Sequence, residues 1–247
     1  MMNEMLLLFS ASSTAAILGF GFLLGLKHAT EADHLAAVST MVSERRSIWG
    51  SALVGGLWGL GHTISLFIAG VCVLLLNFQI SESAERWLEF CVGIMLTLLG
   101  LNVLRKLLNG GQLHFHAHEH GERAHAHPHL HAAAESAAPH THHGLEFNPR
   151  ALIIGMVHGL AGSAALMLVV IPTISSRSVG LLYIVIFGIG SIGGMMIMSF
   201  LVSLPFHLTA SRFRLFNTVL QGCAGIVSVT LGLMIVYQKG TAAGLFA

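Results

Sequence analysis

Near its N-terminus the chain drives a knot of charge through an apolar run: Gly25-Leu26-Lys27-His28-Ala29-Thr30-Glu31-Ala32-Asp33-His34-Leu35, with long hydrophobic stretches on both sides. Asp33 is the sole aspartate in 247 residues. A charge at membrane depth costs at least ~2.5–3.5 kcal/mol. Lys27, Glu31 and Asp33, crowded together with His28 and His34, must therefore be offset by mutual pairing, by water or by a bound cation. Imidazole with carboxylate is a ligand set for a divalent transition metal.

The flanking stretches define the environment. Apolar residues make up 54% of the chain and charged ones 9%, with a mean hydropathy of +0.77, whereas soluble domains carry about 25% charge. The chain reads as an all-α polytopic membrane protein. A net charge of +1 gives no sign of a nucleic-acid partner. Cys72, Cys91 and Cys223 lie in apolar stretches without paired spacing and read as buried thiols. Met1-Met2-Asn3-Glu4 has no positive n-region and makes a poor cleavable signal peptide.

Segments able to span ~30 Å fall at 8–42, 50–77, 86–107, 151–175, 179–207 and 214–238. The first is too long for one straight span, so its helix is either long and tilted or broken near Gly25 or His28. Residues 1–108 then form a first three-helix unit, 109–148 a polar insert without regular structure, and 149–247 a second three-helix unit. Arg45, Arg46, Arg105, Lys106, Arg123, Arg150, Arg212 and Arg214 fall on one side of these spans, against Arg86, Arg177 and Lys239 on the other. The excess assigns the first side to the cytoplasm, with both termini outside and the insert inside.

The two units repeat each other. Gly25-Leu26-Lys27-His28 aligns with Gly155-Met156-Val157-His158, Arg46-Ser47 with Arg177-Ser178, and Gly59-Leu60-Gly61-His62 with Gly188-Ile189-Gly190-Ser191. An odd number of spans per unit makes the repeats inverted, a transporter architecture with its site at the midplane. The second unit has lost most of the chemistry: Asp33, His34 and His62 become Ser163, Ala164 and Ser191, and only His158 survives. One metal site, built mostly by the first unit, is expected.

On a straight helix His28, Glu31 and His34 share an arc of ~120° with Lys27, whereas Asp33 points ~140° away from His28. Either the helix unwinds here or Asp33 orients an imidazole from behind. The plainer alternative is a structural knot pairing Lys27 with Glu31 or Asp33. His62, in Trp58-Gly59-Leu60-Gly61-His62-Thr63, is a further donor beside glycines that permit close helix approach. Alone, it would read as a helix–helix hydrogen bond. The insert carries His114, His116, His118, His120, His125, His127, His129 and His131, then His140, His142 and His143. Histidine at alternate positions is a metal-binding tract that could collect, buffer or sense metal; the alternative is a solvated linker. His158 and Ser191 are candidates for gating or for supporting the site, as are Lys27 and Glu31. His207 reads as interfacial, and Met195, Met196 and Met198 read as core.

His28-x4-Asp33-His34, extended to His-Ala-x-acid-Ala-Asp-His, is similar to the signature of the nickel/cobalt transporter (NiCoT and NicO-like) family, and Leu60-Gly61-His62-Thr63 resembles its second signature. The resemblance covers about 17–240. The chain has six spans where the long uptake permeases have eight, and His158-Gly159-Leu160-Ala161-Gly162-Ser163 looks more like the short urease-accessory (UreH-type) branch. A His-rich loop also occurs in efflux relatives, which carry Pro-Gly where this chain has Ala32-Asp33. The resemblance implies transport of Ni²⁺ or Co²⁺ as substrate, uptake ahead of efflux, in a cytoplasmic (inner) membrane. It implies no organic cofactor, and cytoplasmic urease or hydrogenase maturation proteins as partners. The implied ligands are His28, Asp33, His34 and His62. The competing classes are a membrane-embedded metal hydrolase, a metal sensor and a haem protein. The hydrolase lacks a spare acid in the later spans, and His28 and His34 do not lie at one level for haem.

Overall fold

In the computed structural model the described residues are 2–43, 45, 47–76, 81–109, 112–120, 123–131, 149–170, 176–210 and 213–242. Among the described residues seven helices carry the fold: α1 (Met2–His28), α2 (Ala32–Val42), α3 (Ile48–Leu76), α4 (Glu82–Leu108), α5 (Pro149–Val170), α6 (Arg177–Ala210) and α7 (Arg214–Ala242). Among the described residues four stretches are long and apolar enough to cross a membrane, Ile48–Leu76, Glu82–Leu108, Arg177–Thr209 and Leu215–Ala242; Thr14–His28 and Pro149–Ala161 are shorter apolar helices. The apolar spans place the chain in the membrane as a multi-pass protein.

Of the alternatives for the first apolar segment, the broken helix is found. α1 stops at His28. Thr30 closes its end by donating from both its amide and its hydroxyl to Lys27 O (2.8 and 2.6 Å), and the Glu31 amide donates to His28 O at 3.1 Å. These bonds satisfy carbonyls that a helix end leaves open. α2 starts anew with Glu31 extended at its N-cap and Asp33 in its first turn, where the helix dipole favours a carboxylate. The far end of α2 is tied to α7 by Gln221 Nε2, which donates to Ser43 O at 3.1 Å.

Glycines set the helix pairs. α1 lies on α6 and α5 lies on α3, while α3 packs on α6 and α4 on α7. A Cβ at Gly25 would strike Phe187 O, and one at Gly155 would strike Trp58 O. Gly190 abuts Phe22 O, and Gly61 abuts Leu152 O, in the same manner. Between α4 and α7, Gly93 faces Gly232 O and Gly100 faces Gly225 O. Lipid tails supply no hydrophobic drive between helices, so such close backbone approach is what holds a membrane bundle together. Cross-helix bonds add to it: Thr63 Oγ1 donates to Gly188 O at 3.3 Å and Ser228 Oγ to Leu96 O at 2.8 Å. Lys239 pairs with Glu89 across α4 and α7.

Three expectations are corrected. Within the insert, β1 (Gln112–His120) and β2 (Arg123–His131) form an antiparallel hairpin where no regular structure was expected, pairing His114 with His129, His116 with His127 and His118 with His125 in register. His140, His142, His143, Arg46 and Arg212 lie outside the described residues. Cys91 and Cys223 are free thiols on exposed helix faces, and Cys72 is half-buried. Met195 is core, but Met196 is exposed. An apolar neighbourhood in sequence marks lipid and protein interior alike, so it did not separate these faces. His207 is exposed near the end of α6.

Gly155→Ala is expected to destabilise the bundle by about 1–3 kcal/mol, because a rigid backbone must yield to the new methyl. Gly193→Ala, with nothing within 4 Å of the added carbon, is the control. Thermal unfolding of the two variants in detergent checks the difference.

Candidate metal centre

The break after His28 turns the ends of α1 and α2 toward α3 and α5, and four imidazoles meet there. His28 is 1% exposed, and His34, His62 and His158 are fully buried. Their rings pack edge to face: His28 and His34 have centroids 4.3 Å apart, and His34 and His158 4.4 Å. Trp58 closes one flank, 5.2 Å from His34 and 5.5 Å from His158, and Phe187 lies 5.6 Å from His28.

Asp33 organises two of these rings. Its Oδ1 accepts from the His34 amide and from His34 Nδ1, both at 2.9 Å, and its Oδ2 accepts from His158 Nε2 at 3.0 Å. A carboxylate can only accept, so these bonds put the proton of His34 on Nδ1 and leave Nε2 with its lone pair. That Nε2 is buried without a hydrogen-bond partner, as are His62 Nδ1 and His158 Nδ1. Buried polar atoms are otherwise almost always paired, so the lone pair left on His34 Nε2 is available to a ligand.

His28 and His62 approach through their Nε2 atoms at 3.2 Å. Two ligands bound to one ion at ~2.0–2.1 Å stand roughly 2.9–3.4 Å apart at ordinary coordination angles, so this spacing suits a shared ion. His28 Nδ1 lies 3.1 Å from Glu31 Oε2, a carboxylate that is half exposed. Donor atoms of His28, His34 and His62 all lie within 4.8 Å of one another, and so do those of Asp33, His34 and His158. Both groups can hold a divalent ion by the same nitrogen and oxygen chemistry.

The structure brings His28, Asp33, His34, His62 and His158 together and leaves other candidates outside. Lys27 is exposed and makes no ion pair with Glu31 or Asp33 among the described residues, so the knot of lysine and acid is not what offsets the charge. Ser191 is fully buried on α6 against Gly25, with an unpartnered hydroxyl, in neither group. The tract residues His114, His116, His118, His120, His125, His127, His129 and His131 lie on the hairpin. The contact of His158 with Asp33 is the feature that sequence reasoning underweighted. Its signal was the alignment of His158 with His28.

The chain is 38% identical over 94% of its length to the urease accessory protein UreH of Bacillus sp. (strain TB-90), covering 95% of that protein. It is 26% identical over 89% of its length to the chloroplast protein FOR GROWTH AND FERTILITY 2 of Arabidopsis thaliana, covering 55% of it. A segment amounting to 30% of the chain is 32% identical to the high-affinity nickel transport protein of Cupriavidus necator, covering 21% of that protein. No family model and no solved structure matches the chain.

An ion held by these groups binds only the folded bundle. Ni²⁺ at about 100 times its dissociation constant is expected to add about 2.7 kcal/mol of stability, read as a rise in Tm. His34→Ala, which belongs to both groups, is expected to abolish the rise.

Proposed function

Because the chain belongs to the family of the urease accessory protein UreH, we propose that it carries Ni²⁺ inward across a cytoplasmic (inner) membrane through the buried cluster of His28, Asp33, His34 and His62. The observation that carries this reading is the convergence of donor atoms of His28, His34 and His62 within 4.8 Å of one another at a helix break inside a multi-pass membrane chain. The relatives' names support it further, since they describe an accessory protein and a nickel transport protein. Nickel is preferred to cobalt on the same ground. Urease maturation proteins in the cytoplasm are the natural recipients of the ion.

In this reading the chain is two inverted halves of three spans, 1–108 and 149–247, with both termini outside and the His-rich hairpin inside. The glycine contacts support it. The repeat carries Gly25 onto Gly155 and Trp58 onto Phe187, and therefore carries the contact of Gly25 with Phe187 O onto that of Gly155 with Trp58 O. The contacts Gly61–Leu152 and Gly190–Phe22 are related in the same way. Two halves of this kind alternate access to a site between them by rocking against each other.

His28, His34 and His62 supply nitrogens, while Asp33 holds the His34 proton on Nδ1 and so aims Nε2 at the ion. Carboxylates behind ligating histidines fix the ring and raise its basicity. Raw affinity favours Cu²⁺ over Ni²⁺, so selectivity rests on the geometry of the imidazoles. Two charges moving down ~100 mV gain about 4.6 kcal/mol, equivalent to a gradient of roughly 2000-fold. Uptake therefore proceeds without a phosphate-binding loop of the Gly-x4-Gly-Lys kind, which the chain lacks.

Radiolabelled Ni²⁺ should enter proteoliposomes under an inside-negative potential and not under the reversed one, and His34→Ala should abolish the flux. Ions moving outward under the same gradient would favour efflux.

A further inference from the structure

The cluster holds more donors than one ion needs, and they are arranged as two groups and not one. His28, His34 and His62 form an all-imidazole set; Asp33, His34 and His158 form a set with two imidazoles and a carboxylate. His34 belongs to both and has a nitrogen for each. Its Nδ1 faces Asp33, and its Nε2 is the buried atom without a hydrogen-bond partner. The sets also differ in access. Asp33 is 25% exposed, whereas the three imidazoles of the other set are at most 1% exposed.

We propose that the ion passes through two overlapping stations that share His34: an outer one of Asp33, His34 and His158, and an inner one of His28, His34 and His62, occupied in turn by a single divalent ion. The inference rests on the nickel-transport reading and deepens it, making His158 a ligand and not a support. Occupation is successive because two divalent ions on opposite edges of one imidazole would repel strongly across a dry interior with only Asp33 and Glu31 to compensate.

At the outer station the ion replaces the two hydrogens that now lie between Asp33 and its histidines. Metal bonds run to His34 Nδ1, His158 Nε2 and an Asp33 oxygen, with the ring protons on His34 Nε2 and His158 Nδ1. In the step inward the bonds to Nδ1 of His34, to His158 and to Asp33 break, and bonds to Nε2 of His34, His28 and His62 form. Water shed by the ion carries the proton of His34 from Nε2 to Nδ1, and that of His158 from Nδ1 to Nε2. Both return to Asp33 as hydrogen bonds, so no net proton is released. The resulting tautomers are those the hydrogen bonds of the structure require.

The test uses the full-length protein in detergent and in proteoliposomes, comparing wild type, His158→Gln, His62→Gln and His34→Ala. Glutamine at 158 can still donate to Asp33, so a merely structural role survives the change. The His-rich tract is common to every variant, and binding lost in His34→Ala defines the intramembrane component. Two stations require that His158→Gln and His62→Gln each retain that component, at one ion per chain, while flux falls at least about tenfold. With Co²⁺ as the probe, the ligand-field absorption should differ between them, all-nitrogen in His158→Gln and part-carboxylate in His62→Gln.

Flux in His158→Gln within about threefold of wild type overturns the proposal, because a second-sphere loss of tenfold or more is the least a true ligand should show. Loss of binding in both variants to the level of His34→Ala also overturns it, leaving one undivided site. So do identical Co²⁺ spectra, or two intramembrane ions in the wild type. If one variant does not fold, the spectrum of the other against wild type decides. A wild type that binds but does not transport defeats the uptake reading alone, and the binding and spectral results still judge the stations.

Discussion

The carboxylate of Asp33, shared between His34 and His158, is the interaction from which the rest of the centre follows. A single negative charge at this depth is costly, and two ring N–H groups and one amide N–H surround it. To reach them it must leave the face that a continuous helix would give it. α1 therefore ends at His28 and α2 restarts at Ala32, which sets Asp33 in a first turn whose free amides favour an anion. The His158 side of the contact depends on α5 lying close against α3, and that approach depends on Gly155 and Gly61. The helix break, the glycine contacts and the imidazole cluster are thus one solution to placing one aspartate.

Much of this was legible in the sequence because it is written in local spacing. The apolar lengths marked the long helices α3, α4, α6 and α7, and the paired Gly-x-x-His and Gly-x-Gly motifs marked close helix contacts. The density of charge around His28 and His34 marked the centre before any fold was known. The direction of Asp33 was not legible. A helix at 3.6 residues per turn turns it away, and only the cost of an unpaired carboxylate hinted that the helix must break. The role of His158 was hidden for another reason: its partner lies 125 residues away, a distance over which spacing carries no information. The outward faces of Cys91, Cys223 and Met196 were hidden too, since lipid and protein core select the same residues. The hairpin escaped because a tract read for its metal-binding composition was not read for strand alternation, although histidine at every second position has the period of a strand.

In the proposed reading as two inverted halves, the halves differ in what they contribute. The second keeps the packing residues Gly155, Gly188 and Gly190 and lacks most of the donors, with Ser191 standing where the first has His62. His158 is the exception, and its place explains why. The pairing of α5 with α3 puts it beside Asp33, across the seam between the halves. It completes a set of donors that neither half possesses alone, whereas His28, His34 and His62 all belong to the first half.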